Sequence, residues 1–174
     1  MIAYQTLNAV IELNVQDVFW VRPELEATFT PVSSQTWKQW IDSWCTNLNS
    51  YLPEASSYEL TLRLTGDQEI QSLNAQYRQK NQPTDVLAFA TLEWDFPTII
   101  PLEDCSEPVY LGDIVISVET AQKQAQQHTN SLKRELAWLA AHGLLHLLGW
   151  DHPDEQSLKK MLQQQETLLE SVSL

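Results

Sequence analysis

The chain has 174 residues, 43% of them hydrophobic and 19% charged, with a formal net charge of −13. That length suits one domain with a real core and is short for two. No apolar run is long enough to span a bilayer, and the acidic balance disfavours non-specific nucleic-acid binding, which needs Lys and Arg against phosphates. It leaves room for a small basic patch on an acidic surface.

The opening MIAYQTLNAVIELNVQDVF lacks a positive region ahead of an apolar one, so it does not read as a signal peptide. The expected compartment is the cytoplasm. LNAVIELNV, residues 7 to 15, alternates loosely and predicts a strand. RPELEATFTPVSS carries prolines and predicts a loop or insertion. Trp37, Trp40, Ile41, Trp44 and Leu48 then recur at spacings of three and four, one apolar face of a helix with Ser34 as its N-cap. YELTLRLT predicts a half-buried strand. After Gly66, DQEIQSLNAQYRQ predicts a helix capped by Asp67 with Ile70, Leu73 and Tyr77 inward.

DVLAFA predicts a strand, with Thr84 and Asp85 shaping the turn before it. WDFPTIIPLEDCSEP predicts a long loop. LGDIVISV, rich in β-branched residues, is a strong strand. ETAQKQAQQHT is a polar helix on which His128 reads as a solvated surface residue. SLKRELAWLAAHGLLHLLG is a far more apolar helix opened by Ser131 and ended near Gly149. PDEQSLKKMLQQQETLLESV begins with proline and two acids, which suits a helix N-terminus. Strands come first and helices gather late. The expected fold class is α+β: a small mixed β-sheet packed with helices, one domain over residues 1–174. Cys45 and Cys105 are far apart without CxxC spacing and read as reduced and unpaired.

Three of the four histidines fall within HGLLHLLGWDH. His142 and His146 are four apart on the predicted helix, so both rings leave one face. Gly149 permits a left-handed reversal, and His152 follows three residues later, where it can swing back toward the others. Three neutral imidazoles converging in this way form an open tri-histidine site. One zinc ion per chain fits it, with nitrogen ligands at roughly 2.0–2.1 Å and a fourth position left for water. Nickel suits the same donors. Gly143 stands where HExxH peptidases carry a glutamate, which argues against that chemistry. Lacking a Cβ, it instead lets a strand, a helix or a substrate approach.

HGLLHLLGWDH resembles the signature of the YbeY family of bacterial endoribonucleases, a tri-histidine zinc family. LNAQYRQKNQPTDVLAFA and LGDIVIS resemble further segments of it, and together they cover residues from about Tyr58 to His152. Ala88, Ala90 and Trp150 depart from the family's usual residues, and residues 14 to 35 and 95 to 108 look longer than a minimal member needs. The resemblance implies a zinc-dependent, single-strand-specific endoribonuclease that acts on an rRNA precursor in 16S rRNA 3′ end maturation and ribosome quality control. It further implies small-subunit ribosomal proteins as partners, and neither membrane nor DNA. Arg78 is the catalytic residue it implies, a planar fork suited to a phosphate, with Lys80 a weaker neighbour. Such a zinc lowers the pKa of bound water from 15.7 to about 7.

Asp151 is read as orienting a histidine or capping the next helix. Glu135 is read as an acid behind the ligands, a buried salt bridge or a solvated edge. Arg63, Arg78, Lys80, Lys123, Lys133 and Arg134 are expected to form a local basic groove near the zinc. Two rivals share the ligands: a zinc hydrolase of a small ester, amide or phosphate, and a non-catalytic ribosome-assembly factor.

Overall fold

A computed structural model describes residues 9–20, 31–91 and 107–174. Cys105, most of the proline-bearing segment before residue 34 and most of the loop from 94 to 108 lie outside the described residues. The described residues form four strands, β1 (Val10–Asp17), β2 (Ser57–Thr65), β3 (Val86–Ala90) and β4 (Val109–Ser117), and five α-helices, α1 (Ser34–Asn47), α2 (Asp67–Arg78), α3 (Val118–His128), α4 (Leu132–Leu147) and α5 (Glu155–Glu170), in the order β1 α1 β2 α2 β3 β4 α3 α4 α5. The expected α+β class with a mixed sheet is what forms. Its strand order is β1-β2-β4-β3. β1, β2 and β4 run parallel, and β3 is antiparallel to β4 along one edge.

Period-two alternation splits the sheet between two cores. Leu60, Leu62, Leu64, Ile114 and Ile116 face the helices α1, α3, α4 and α5. Val115 and Leu87 face Ile70 of α2 on the other side. Helix α4 is apolar nearly all round: Leu136, Ala137, Leu139, Ala140, Ala141, Leu144, Leu145 and Leu147 are all buried. A helix of that kind belongs in the middle of a fold, and α3, α5, β3 and β4 enclose it. Each fully buried leucine contributes about 1.5–3 kcal/mol.

The register slips once between β2 and β4, at Glu59/Leu60, so that Tyr110 and Gly112 pair with consecutive residues of β2. Gly112 has φ +134°, and a Cβ there would lie 2.1 Å from the Phe89 carbonyl oxygen of β3. Only glycine lets β3 close onto the bulged strand.

Several local expectations shift. The N-cap of α1 is Ser33, whose hydroxyl accepts from the Thr36 amide, one residue before the expected Ser34. The N-cap of α2 is Gly66. Asp67 instead accepts from Ser117, Thr120 and Lys123, which holds its carboxyl below the ordinary range although burial opposes this. Tyr77 is 60% exposed; the inward position on that face is Asn74, whose amide donates to the Gln82 carbonyl at 2.8 Å. Cys45 is free and buried, and burial, with Asp42 nearby, pushes its thiol up to about 12. No helix among the described residues is long and apolar enough to cross a membrane.

Candidate metal centre

The C-terminal end of α4 builds the centre. Ser131 caps its start by accepting from the Arg134 amide. At its end the Gly149 amide donates to the His146 carbonyl and the Trp150 amide to the Leu145 carbonyl, each at 3.0 Å. Gly149 adopts φ +85°, so the helix ends in a Schellman turn, as its glycine predicts. Trp150 packs edge-on against Tyr51, ring centroids 5.1 Å apart, which pins the exit turn. The Asp151 carboxylate accepts from the His152 amide at 2.8 Å. Asp154, not Asp151, caps α5, in a reciprocal capping box with Ser157. His152 is thereby brought back over the end of α4.

The three rings converge. Centroid separations are 4.6 Å for His142 and His146, 5.5 Å for His142 and His152, and 5.3 Å for His146 and His152. One ligand nitrogen from each lies within 4.8 Å of the others. A tetrahedral ion with nitrogens at about 2.0–2.1 Å holds them roughly 3.3 Å apart, so the rings fit an ion with small adjustments. The Nε2 atoms of His142 and His146 face each other at 3.0 Å. Two imidazole lone pairs at that distance repel unless a proton or a cation lies between them.

The environment favours the neutral form of His142 and His146. Burial, then the neighbouring His142 and His152, pushes the His146 imidazole down to about 4. Burial also lowers His142; the Gln165 hydrogen bond opposes this, while Arg78 adds to it. Neutral imidazoles are the form a metal needs.

The histidines line a cavity of about 260 Å³. Val86 and Ala88 of β3 wall one side, and Arg78, the last residue of α2, reaches in from another, with Asp85 and Asp151 also lining it. Asp85 is anchored, accepting from the Val86 amide and the Gln124 side chain. Among the described residues no ion pair engages Arg78. Gly143 fits by necessity: the element it admits is β4, through Ile114.

The wider basic groove does not assemble. Arg63 pairs with Glu69, Lys123 with Asp67 and Arg134 with Glu166, and Lys133 sits 5.5 Å over the Trp40 ring. Of the six cations, Arg78 alone lines the cavity; Lys80 does not. Glu135 is buried, but it accepts from Asn130 and lies 3.4 Å from His128 Nδ1, so it backs none of the three converging rings. His128 is mostly exposed, yet it has this acidic neighbour.

The partner that sequence reasoning missed is Gln165. It is fully buried on α5, and its Oε1 lies 3.0 Å from His142 Nδ1. A signal was present: Gln165 falls four residues after Met161 and three before Leu168, on the apolar face of its helix.

A family profile described as "Endoribonuclease YbeY" matches residues 24–173. Relatives called "Endoribonuclease YbeY" include one from Trichormus variabilis, 58% identical over 169 residues, covering 94% of this chain and 95% of that protein. Another, from Cyanothece sp., is 52% identical over 164 residues and covers 94% of each. Among solved structures, TM1509 from Thermotoga maritima superposes with a TM-score of 0.54 at 22% identity, covering 94% of this chain and 89% of that one. At that identity the likeness speaks for the fold.

Proposed function

The chain belongs to the YbeY family of endoribonucleases, and from that premise we propose that it hydrolyses phosphodiester bonds of single-stranded RNA at the His142, His146 and His152 centre. The observation that carries this reading is the convergence of three imidazoles at a cavity lined also by the Arg78 guanidinium, which no ion pair engages among the described residues. Zinc is the ion we assign, one per chain. When bound there it supplies Lewis acidity and a water acidified toward neutral pH.

The protein's own groups do the rest. Arg78 is in no ion pair among the described residues and offers two parallel N–H donors to a phosphate. As hydrolysis proceeds, negative charge grows on the phosphoryl oxygens, and a fixed cation stabilises it more than it stabilises the substrate. Val86 and Ala88 line the same cavity with apolar surface, which lowers the local dielectric and strengthens that interaction. Asp151 holds the His152 backbone, and Asp85 anchors the start of β3, so both lining acids act on shape.

With one cation lining the cavity among the described residues and a net charge of −13, affinity for free RNA is modest and salt-sensitive. In this proposal the substrate is an rRNA precursor presented on a ribosomal particle, in 16S 3′ end maturation and ribosome quality control, with small-subunit proteins supplying further contacts; membership of the family supports it. Residues 1–174 act as one domain in this reading, in the cytoplasm. The test is metal analysis of the purified protein together with cleavage of a single-stranded RNA by wild type, His146→Ala and Arg78→Ala. One zinc per chain and cleavage lost in both variants is the expected result. Full cleavage by His146→Ala would overturn the reading.

A further inference from the structure

We propose that Gln165 is a positioning residue: its buried amide fixes His142 as an Nε2 ligand before any metal arrives. The inference deepens the metal reading above and rests on it for its purpose, though not for its geometry.

Gln165 is fully buried on α5, where Met161, Leu168 and Leu169 pack that helix against the rest of the core. Both ends of its amide are engaged. Nε2 donates to the Trp138 carbonyl of α4 at 3.3 Å, and Oε1 meets His142 Nδ1 at 3.0 Å. The two contacts together settle which end is which. A backbone carbonyl has no proton to give, so the end facing Trp138 must be the NH₂. The end facing His142 is then a carbonyl oxygen, which only accepts.

The consequence passes to the ring. Nδ1 of His142 must carry the proton, because the other tautomer would set two acceptors against each other inside the protein. A neutral His142 therefore holds its lone pair on Nε2, the atom directed at His146 Nε2 3.0 Å away. Without Gln165 the two neutral tautomers would compete, and the ring could rotate. With it, one donor of the centre is oriented and deprotonated at the right nitrogen in advance, and the ordering cost is met during folding rather than at metal binding.

The chemical type matters as well as the position. Carboxylates commonly fill this role behind metal-bound histidines and raise the basicity of the ring. An amide accepts the same proton without adding negative charge. It orients His142 while leaving the charge of a bound cation undiminished, which favours polarisation of a substrate phosphate over the tightest possible grip on the metal. Thus Gln165→Glu and Gln165→Met separate the two contributions. Glutamate keeps the acceptor toward His142, adds charge and gives up the donor to the Trp138 carbonyl. Methionine keeps the volume and removes the acceptor.

The experiment uses the full chain, stripped of metal by chelator, at pH 8. Long-range proton–nitrogen NMR of the imidazoles reads the tautomer of His142 directly. The expected result is a single Nδ1–H form in wild type and in Gln165→Glu, and a mixture in Gln165→Met. Competition with a chromophoric chelator then gives zinc affinity: about 10–100-fold weaker in Gln165→Met, and equal or tighter in Gln165→Glu. Denaturation midpoints of all three proteins accompany these measurements, so a general loss of folding is recognised. A mixed His142 tautomer in folded wild type, or wild-type tautomer and zinc affinity in a folded Gln165→Met, would overturn the proposal. The NMR arm needs neither zinc nor RNA: failure of the protein to cleave RNA would defeat the functional reading and leave this one standing.

Discussion

Gly143 stands so close to Ile114 that a Cβ on the glycine would lie 2.6 Å from Ile114 Cγ2 and 3.2 Å from Cγ1. Ile114 is fully buried in the middle of β4, and its branched side chain has little freedom to turn away. The glycine is what lets the histidine helix rest directly on the sheet.

Gly143→Ala is therefore expected to destabilise the fold. Overpacking costs about 1–3 kcal/mol, and the better helix propensity of alanine returns at most about 1 kcal/mol. The denaturant midpoint should fall, and zinc affinity with it, since His142 and His146 flank the displaced residue. In a double-mutant cycle with Ile114→Ala the two costs should not add, because truncating the isoleucine makes room for the new methyl. Simple additivity would contradict the contact.

His146→Ala should fold and bind less than one tenth of a metal ion per chain, as read by elemental analysis and circular dichroism. The ring is half-buried at the cavity wall, so its loss leaves the core leucines of α4 in place. Stripping metal from wild type should abolish RNA cleavage, and added zinc should restore it.

Arg78→Ala should retain one metal ion per chain while RNA cleavage falls roughly 10²-fold. Arg78→Lys should recover part of this, keeping the charge but losing the two-point fork. Cleavage kinetics and metal content measured on the same preparation check both statements. A loss of metal in Arg78→Ala would show that the arginine acts on the centre instead of the substrate.

Acid should weaken the metal-free protein before its carboxylates titrate. His146 sits at about 4 in the folded protein, below its ordinary 6.5, because burial and the two neighbouring histidines disfavour the cation. The unfolded chain therefore takes up this proton first as pH falls. The stability contribution is complete above about pH 6.5 and is lost progressively toward pH 4. His142 is shifted the same way and adds to the slope. Denaturant midpoints between pH 8 and pH 4.5 should decline in wild type and decline less in His146→Ala. Equal slopes would refute the assignment.

Much of this was legible in the sequence wherever the information was local. The tryptophan face of α1, the element order, Ser131 as a cap, the Gly149 reversal and the convergence of the three histidines all follow from spacing within one or two turns. What stayed hidden depends on pairings between distant segments. Asp67 looks like a cap until Ser117, some fifty residues on, claims its carboxylate. Tyr77 fits an inward helical position, yet α2 covers only part of its face of the sheet, and Asn74 is the residue drawn in. The expected basic groove fails for the same reason, since Glu69, Asp67 and Glu166 each take a cation that sequence alone leaves unassigned. Gln165 was readable only as a polar residue on an apolar face, with nothing to name its partner on α4.

The three histidines fall within eleven consecutive positions, all on the end of one helix and the turn that follows it. Enclosing an ion there closes a loop of only a few residues, so chelation adds little chain entropy cost beyond what forming α4 already required. Rupture elsewhere, such as detachment of the edge strand β1, would leave the chelate whole. Release of a bound ion and melting of the far sheet edge are accordingly separable events, and a protein that has begun to melt at its margins would still hold an ion bound there.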